Sequence, residues 1–451
     1  MDKVLYKILI LLFLSGCAAP EWIDTSRGIF GTGEKIVNPN DPNQKKIFSQ
    51  EEVFEKELNV NLKINLKPIF KKKSFINNLT NNNGLINFDG KLKDGKLKKI
   101  SRYKFKKIKQ FEYTQPELYF THLGSIIFFD NKGTIINFDQ NSKIIWKKNY
   151  YTKSDKKNNP ILYFAGNNKQ LIVTDNLAKY YAINLSNGEL IWEKVNSSPF
   201  NSQIKVFKDK FFAIDSENVL RCFSLKDGKE LWNYKTDKSF IKSQQKLSLI
   251  INNNKVIFIN TLGDVSSINI ENGKLMWQTP TQSNEIYESS FSLKNSDIIL
   301  DRKGIFFSNN QNEFYALDET TGVIMWKQNL NSNLRSTFIE NLIFNVTLEG
   351  YLVVIDARNG NILRMTNIFE RIKRYEKKGL LADRETVMPI GFVVSNENIY
   401  ISLSNGRIVS VDLLTGKSLE VIKIDSEKIS RPYIFKNEMF VIKDNGIIKL
   451  N

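Results

Sequence analysis

Few residues of this sequence are of the types that carry out covalent or metal chemistry. The 451 residues include one histidine, His122, and two cysteines, Cys17 and Cys222. A metal site built on several histidines, or an acid–base pair of histidines, is therefore excluded. We expect His122, in YFTHLGSIIFF at the start of a strand, to be structural. No glycine-rich phosphate loop follows a predicted strand, so the sequence favours binding over catalysis and predicts neither a cofactor nor a metal.

Cys17 is the residue whose surroundings predict a covalent modification. Within residues 1–16, two lysines precede the apolar run Ile8–Leu14, which is typical of a signal peptide and too short to span a membrane. The run leads into Leu14-Ser15-Gly16-Cys17, which looks like a bacterial lipobox. After cleavage, acyl chains on Cys17 would hold the protein on a membrane at about 0.8 kcal/mol per buried methylene. A chance cysteine after an ordinary signal peptide is the alternative.

The rest of the chain is organised by a repeat. Its unit is a small or apolar residue, then Asp or Asn, a turn ending in Gly, three residues and Trp, as in DETTGVIMW (Asp318–Trp326). The tryptophans at this place are Trp146, Trp192, Trp232, Trp277 and Trp326, and Arg364 and Glu420 replace them in two further units. Successive tryptophans are 46, 40, 45 and 49 residues apart, and a period of this length indicates a repeat architecture.

Each repeat predicts a small antiparallel sheet. In the fourth unit we expect strands at Leu247–Asn252, Lys255–Asn260, Val265–Ile270 and Lys274–Gln278, separated by turns in which Gly supplies a positive φ. Four short strands repeated radially make a propeller blade. An indole buries about 150–250 Å², so we interpret the five tryptophans as residues that dock one blade on the next.

Counting the units predicts an all-β, eight-bladed propeller. Seven units end at the five tryptophans, Arg364 and Glu420, and the C-terminal stretch 431–450 lacks an outer strand. An unpaired strand at Lys96–Lys106 would complete this last blade and close the ring, which removes the edge strands. The predicted domains are a signal peptide at 1–16, a largely irregular lipid-anchored tether at 17–84 and the propeller at 85–451.

The repeat resembles the tryptophan-docking repeat of quinoprotein-type propellers over about residues 85–451, carried by Ala316, Asp318, Gly322 and Trp326. This family contains quinone-cofactor dehydrogenases and BamB-type lipoproteins of the outer-membrane β-barrel assembly (BAM) complex. The dehydrogenases typically have an adjacent Cys-Cys pair, which this sequence lacks, and the lipobox favours the BamB branch. A propeller that binds a quinone in its central channel is the alternative, and an envelope scaffold unrelated to barrel assembly is another.

The resemblance to BamB-type proteins implies a location, partners and a binding face. It implies a non-enzymatic scaffold at the periplasmic face of the outer membrane. Its implied partners are the POTRA domains of BamA and other BAM subunits, with unfolded outer-membrane protein precursors as a further class. The family's contact loops lie between middle blades, which matches Thr281–Asp297 and Asn329–Phe338 here. The residues expected to bind the partner are Phe291, Leu293, Lys294, Asn333 and Arg335.

The charge of the chain adds no further partner. The formal net charge is +17, and residues 91–109 hold ten Lys or Arg against Asp94. Such a run could attract anionic lipid or an acidic surface, but a solvated strand in a lysine-rich protein explains it as well. An exported protein without a nucleic-acid-binding module is not expected to bind nucleic acid. The extra residues at 369–389 are expected to form an irregular loop between blades.

Overall fold

The protein is described by a computed structural model in residues 57–66, 92, 96–109, 111, 116–236, 246–281, 293–301, 304–377 and 384–451. These residues lie in one compact unit, Glu52–Asn451. They form eight four-stranded antiparallel sheets and one two-stranded sheet. The prediction of an eight-bladed, all-β propeller is confirmed.

The strands of the first four blades follow the chain from the innermost strand outward. Blade 1 contains β2 (Tyr119–Phe120), β3 (Ile126–Phe129), β4 (Ile135–Phe138) and β5 (Ile144–Lys148). Blade 2 contains β6 (Leu162–Gly166), β7 (Gln170–Asp175), β8 (Lys179–Asn184) and β9 (Leu190–Val195). Blade 3 contains β10 (Lys205–Phe207), β11 (Lys210–Ile214), β12 (Val219–Ser224) and β13 (Glu230–Lys235). Blade 4 contains β14 (Leu249–Asn252), β15 (Lys255–Ile259), β16 (Val265–Asn269) and β17 (Leu275–Thr279).

The later blades repeat this order with two departures. Blade 5 contains β18 (Ile299–Asp301), β19 (Gly304–Asn309), β20 (Glu313–Asp318) and β21 (Ile324–Gln328). Blade 6 contains β22 (Thr337–Ile339), β23 (Leu342–Val346), β24 (Tyr351–Asp356) and β25 (Ile362–Asn367). Blade 7 contains β28 (Pro389–Val394), β29 (Asn398–Leu403), β30 (Arg407–Asp412) and β31 (Ser418–Lys423). Blade 8 contains β32 (Tyr433–Phe435), β33 (Glu438–Lys443), β34 (Gly446–Leu450) and, as its outer strand, β1 (Lys99–Lys104).

Between blades 6 and 7 the chain forms a hairpin rather than an irregular loop. Strands β26 (Tyr375–Lys377) and β27 (Arg384–Thr386) pair antiparallel. The expectation of a loop without regular structure at 369–389 was therefore wrong, because two short stretches of this insertion pair with each other. Among the described residues the helical structure is a single short 3₁₀ turn at Asp155–Asn158.

The first described strand closes the ring by pairing with the last. β1 runs antiparallel to β34, with Tyr103 opposite Ile447. The Tyr103 hydroxyl donates to the Gln140 carbonyl of blade 1 at 3.0 Å, and its ring meets Phe138 edge-on at 5.4 Å. Residues from blades 8, 1 and 2 share one apolar cluster, and further clusters lie between each later pair of neighbours. The core is thus a set of blade-to-blade interfaces arranged around the ring.

The Asp or Asn and the Gly of the repeat build the turn that receives the neighbouring blade. In blade 5 the Asp318 side chain accepts hydrogen bonds from the Thr320 and Thr321 amides, and the Gly322 amide donates to the Asp318 carbonyl at 2.8 Å. Gly322 has φ +76°, a conformation that suits glycine. A Cβ at Gly322 would lie 2.4 Å from the Trp277 ring of blade 4, so the glycine also leaves room for the indole.

The tryptophan of each unit that has one donates the same hydrogen bond to the next blade. Each indole Nε1–H donates to the carbonyl of the residue that begins the next blade's turn, at 2.9–3.3 Å. The acceptors are Leu185, Leu225, Ile270, Glu319 and Ala357. Where blade 8 meets blade 1, Tyr103 and Lys449 donate to the equivalent Gln140 carbonyl, each at 3.0 Å. One hydrogen-bonding site on the turn therefore recurs around the ring with different donors.

Candidate functional site

The two connections expected to bind a partner meet on one face of the propeller. They flank the turn between β19 and β20, where Asn309 forms an antiparallel bridge with Asn295 and a parallel bridge with Asn331. The Ser296 amide donates to the Ser308 carbonyl at 2.7 Å, and the Ser332 amide donates to the Asn309 carbonyl at 3.1 Å. Backbone hydrogen bonds thus hold the end of one connection and the start of the other against a common turn.

The five predicted partner-binding residues differ in exposure. Lys294 is exposed, and Asn333 is half-buried. Leu293 is 5% exposed and lines a small pocket between blades 4 and 5. Phe291 lies outside the described residues. Of the described members, Lys294 and Asn333 are therefore placed to meet a partner directly, and partner binding by the set stays a prediction.

Arg335 points inward rather than to the outer face. Its guanidinium lies 3.4 Å from the Asp297 carboxylate, and its side chain is 9% exposed. Burial lowers the pKa of Arg335 to about 10, although the neighbouring Asp297 charge favours the protonated form. Arg335 and Asp297 each lie two residues before the innermost strand of their blade, and innermost strands line the axis of a propeller. The sequence alone did not reveal this, since both residues sit in polar loops.

Arg364 occupies the tryptophan position of blade 6. The sequence alone gave no role to this residue. It is completely buried, and its guanidinium donates to the Leu413 carbonyl at 3.4 Å and to the Leu414 carbonyl. It therefore satisfies the turn of blade 7 as an indole does elsewhere. A Cβ at Gly416 would lie 2.9 Å from the guanidinium, which repeats the glycine–indole packing of the other blades.

The additional donors of Arg364 reach a segment of the predicted tether. Its Nη1 donates to the Leu62 carbonyl at 3.1 Å. Leu58 and Met365 exchange two backbone hydrogen bonds of 3.0 and 2.9 Å, and the Ile64 amide donates to the Leu414 carbonyl at 2.8 Å. Residues 57–66 thus lie against the outer strand of blade 6 and the turn of blade 7. Arginine supplies the donors that this docking needs, which a tryptophan could not.

The residues able to carry out chemistry are scattered. His122 is exposed in the turn between β2 and β3, not at a strand start as expected. Cys222 is buried in β12, and burial raises the pKa of its thiol to about 12, so it remains protonated. Within the described ranges, no group of three or more His, Cys, Asp or Glu side chains could hold a metal ion. Cys17 and the predicted signal peptide at 1–16 lie outside the described residues.

None of the helical structure in the described part of the chain is long and apolar enough to cross a membrane.

The five tryptophans all pack between neighbouring blades. Trp146 is 7% exposed, and the other four are partly buried against the turn of the next blade. The arrangement is that of a closed ring that presents loops, with the connections around Asn309 as its candidate binding face.

Comparison with known proteins places this ring in a family. Residues 131–366 match the profile of the family described as outer membrane protein assembly factor BamB. The chain is 22% identical over 314 residues to outer membrane protein assembly factor BamB of Moranella endobia, covering 68% of this chain and 77% of that protein. It is also 22% identical over 311 residues to an uncharacterized protein of Rickettsia prowazekii, covering 66% of this chain and 70% of that protein.

A solved structure supports the same fold. The crystal structure of BamB from Moraxella catarrhalis superposes with a TM-score of 0.61 at 12% sequence identity, covering 78% of this chain and 99% of that one. The identity is too low to carry more than the architecture. The family profile, however, covers more than half of the 451 residues, from the first blade into the sixth. The chain therefore belongs to the family of outer membrane protein assembly factor BamB.

Proposed function

We propose that the protein is a non-enzymatic, lipid-anchored scaffold of the outer-membrane β-barrel assembly complex, which binds the POTRA domains of BamA and aids the assembly of outer-membrane proteins. The match to the BamB family over residues 131–366 is the observation that carries this proposal. The fold supports a binding role because backbone hydrogen bonds hold the described parts of the two connections, 293–297 and 329–338, in place on the ring. A partner then does not bear the entropic cost of ordering them.

The proposed BamA-binding surface is the paired connections on either side of the β19–β20 turn. In this proposal Lys294 and Asn333, together with Phe291, contact the partner. Leu293 and Arg335 act from beneath, because Leu293 packs between blades and Arg335 is paired with Asp297. Their burial makes them supports of the connections rather than anchors that insert into BamA.

In this proposal, the length of chain between the anchor and the docked segment limits how far the propeller can lie from the membrane. Acylated Cys17 lies 40 residues before Glu57 (57 − 17), the first described residue of the segment on blade 6. A chain of that length spans at most about 130–145 Å when fully extended. The tether is therefore long enough for the propeller to bind a periplasmic domain at some distance from the membrane.

Co-purification with BamA tests the surface. Lys294→Glu combined with Asn333→Ala is expected to reduce recovery of BamA at least fivefold, because it reverses a charge and removes an amide on the exposed connections. The matched control is Lys274→Glu, which makes the same charge reversal at an exposed lysine in a turn at the opposite end of the strands. Equal recovery of BamA with both proteins would reject the surface.

A second measurement separates the surface from the function. If the wild-type protein itself recovers no BamA from crosslinked membranes, while the anchored and folded protein is present, the proposed assembly role fails whatever the contact residues. If the wild-type protein recovers BamA and the Lys294→Glu/Asn333→Ala variant recovers as much, the role stands and another face carries the contact.

A further inference from the structure

Six charged side chains, each from a different blade, meet at the inner edges of the sheets, and we call them the channel cluster. The cluster consists of Glu117, Lys205, Lys246, Asp297, Arg335 and Arg431. Each precedes or begins the innermost strand of its blade, so they converge on the axis of the ring. This placement does not depend on the proposed assembly role.

Ion pairs tie the cluster together across the axis. Lys246 of blade 4 lies 2.8 Å from the Glu117 carboxylate of blade 1, although two blades lie between them along the chain. Arg431 of blade 8 reaches the other oxygen of Glu117 at 3.3 Å. Arg335 and Asp297 form the third pair, at 3.4 Å. Side chains that reach Glu117 from two other blades show that these groups share one space.

The cluster contains more positive than negative charge. Three cations already lie within ion-pair distance of its two carboxylates. Lys205 is a fourth cation, and it is completely buried. The charged groups around it are Arg335, Glu117, Asp297 and Lys246. With every cation protonated, the six side chains carry a net charge of +2 (4 − 2), which an anion bound among them would offset.

A buried amide lies among these charges. Gln203 is 3% exposed, and neither its Nε2 nor its Oε1 has a hydrogen-bond partner among the described residues. Such a group is costly unless a ligand or water satisfies it. Gln203 precedes Lys205 by two residues, so in an extended chain both side chains point to the same side.

The backbone around Gln203 shows that its side chain is directed toward the cluster. In three blades a serine comes directly before Gln203 or the residue at the equivalent position. The serine hydroxyl accepts a hydrogen bond from a backbone amide of the next strand and donates one to the carbonyl of the residue that follows the serine. The three pairs are Ser202–Gln203, Ser296–Asp297 and Ser430–Arg431. Because Asp297 and Arg431 belong to the cluster, the equivalent Gln203 enters the same space from blade 3.

Open volume lies beside the cluster. A small pocket between blades 4 and 5 is lined by Lys246, Ser248 and Ser296 in addition to Leu293. Lys246 is thus shared between the pocket and the cluster. We propose that the channel cluster is a binding site for one small divalent oxyanion, of the sulfate or phosphate class, held by Lys205, Arg335 and the Gln203 amide.

Burial supports this assignment through Lys205. Desolvation, reinforced by Arg335, lowers the pKa of Lys205 to about 7, although Glu117 and Asp297 favour its charged form. An oxyanion favours the protonated amine, so binding takes up a proton near neutral pH. As the pH rises from 7 to 9 the free amine predominates, and the affinity for the anion falls.

Isothermal titration of the purified full chain with sodium sulfate, at constant ionic strength maintained with sodium chloride, tests the site. Sulfate does not titrate in this pH range, so proton uptake reports on the protein. The expected result is one sulfate per chain, an affinity that falls about tenfold or more between pH 7 and pH 9, and a heat at pH 7 that depends on the ionisation enthalpy of the buffer.

Lys205→Met and Lys274→Met are the matched variants, since one removes a buried lysine of the cluster and the other an exposed lysine in the turn between β16 and β17. We expect Lys205→Met to raise the dissociation constant at least tenfold and to abolish proton uptake, and Lys274→Met to change it less than twofold. Gln203→Leu, which keeps the size of the side chain, is expected to weaken binding about threefold or more. Absence of saturable binding to wild-type protein at 10 mM sulfate overturns the proposal. Equal affinity of the wild-type protein, Lys205→Met and Gln203→Leu also overturns it.

Discussion

Replacing Gly228 by alanine tests whether the repeat is held together by contact between a turn glycine and an indole. Gly228 lies in the turn of blade 3 with φ +67°, and its Cβ position is 2.6, 2.8 and 2.9 Å from three ring atoms of Trp192 in blade 2. Trp192 also donates to the Leu225 carbonyl of the same turn at 3.3 Å. The substitution therefore affects both the backbone conformation and the blade interface.

The expected cost is the sum of two separable effects. Alanine in a left-handed conformation costs about 1–2 kcal/mol. Displacing the indole costs about 1–3 kcal/mol more, as for other overpacked sites. The reduced entropy of the unfolded chain returns about 0.4–1 kcal/mol. Gly228→Ala should therefore lower the free energy of unfolding by about 2–4 kcal/mol.

A double-mutant cycle separates the two effects. In Trp192→Ala protein the new methyl group meets no indole, so only the backbone and unfolded-state effects remain and Gly228→Ala should cost about 0–1.6 kcal/mol. The coupling energy is then about 1–3 kcal/mol. Urea denaturation followed by far-UV circular dichroism measures all four proteins without relying on tryptophan fluorescence.

Gly273 supplies the matched control. It has φ +69°, and its Cβ position faces Trp232 instead, at 2.8 Å. Trp192→Ala should therefore relieve Gly228→Ala but not Gly273→Ala. If Gly228→Ala costs the same free energy in both backgrounds, or if Trp192→Ala relieves the two glycine variants equally, the specific contact between blades is refuted.

Three further predictions concern the tether, the channel and the anchor. Arg364→Ala should lower the free energy of unfolding by about 3 kcal/mol or more, since buried carbonyls lose a charged donor. Arg364→Trp should keep the free energy of unfolding within about 1 kcal/mol but make residues 57–66 cleavable in limited proteolysis, because the indole cannot reach Leu62. Protection of that segment in Arg364→Trp would contradict the docking role. Burial disfavours ionised Glu117, but the charges of Lys246, Arg431 and Arg335 outweigh this effect and lower the pKa of Glu117 to about 2. The ionised carboxylate therefore stabilises the fold above its ordinary pKa near 4.5, and this contribution is lost as the pH falls toward 2. Glu117→Gln should make the free energy of unfolding less dependent on pH between 4.5 and 2, and an unchanged dependence would argue against the ion pairs. Cys17→Ser should move the protein from the membrane fraction to the soluble fraction, with no acyl mass on its N-terminal peptide, and retention in the membrane fraction would exclude Cys17 as the anchor.

The fold could be predicted from the sequence because the same short pattern is repeated at nearly constant spacing. The strands of blade 4 begin and end within two residues of the predicted ones. Closure by the strand near Lys99 also followed from counting, since one blade lacked an outer strand. These features depend on local turn chemistry and on Trp, and both are visible in a single unit.

The binding face and the channel were less predictable for a physical reason. Arg335 and Leu293 occur in polar connections, and only the register of the following strand decides whether such a residue faces outward or inward. Arg335 consequently belongs to the channel cluster, although the sequence suggested the outer face. The role of Arg364 was equally hidden, because its hydrogen-bond acceptors include Leu62, about 300 residues away in the chain.

The latch between β1 and β34 has a consequence for how the protein reaches its native state. Residues 99 and 450 lie opposite each other, so the ring joins positions separated by 351 residues (450 − 99). Pairing of such distant segments is slow, and β1, which is synthesised first, keeps its backbone hydrogen-bonding groups unpaired until β34 has been made. The ring therefore closes only after β34 is complete, and loss of Gly446–Leu450 would leave blade 8 with exposed strand edges that can pair with other chains.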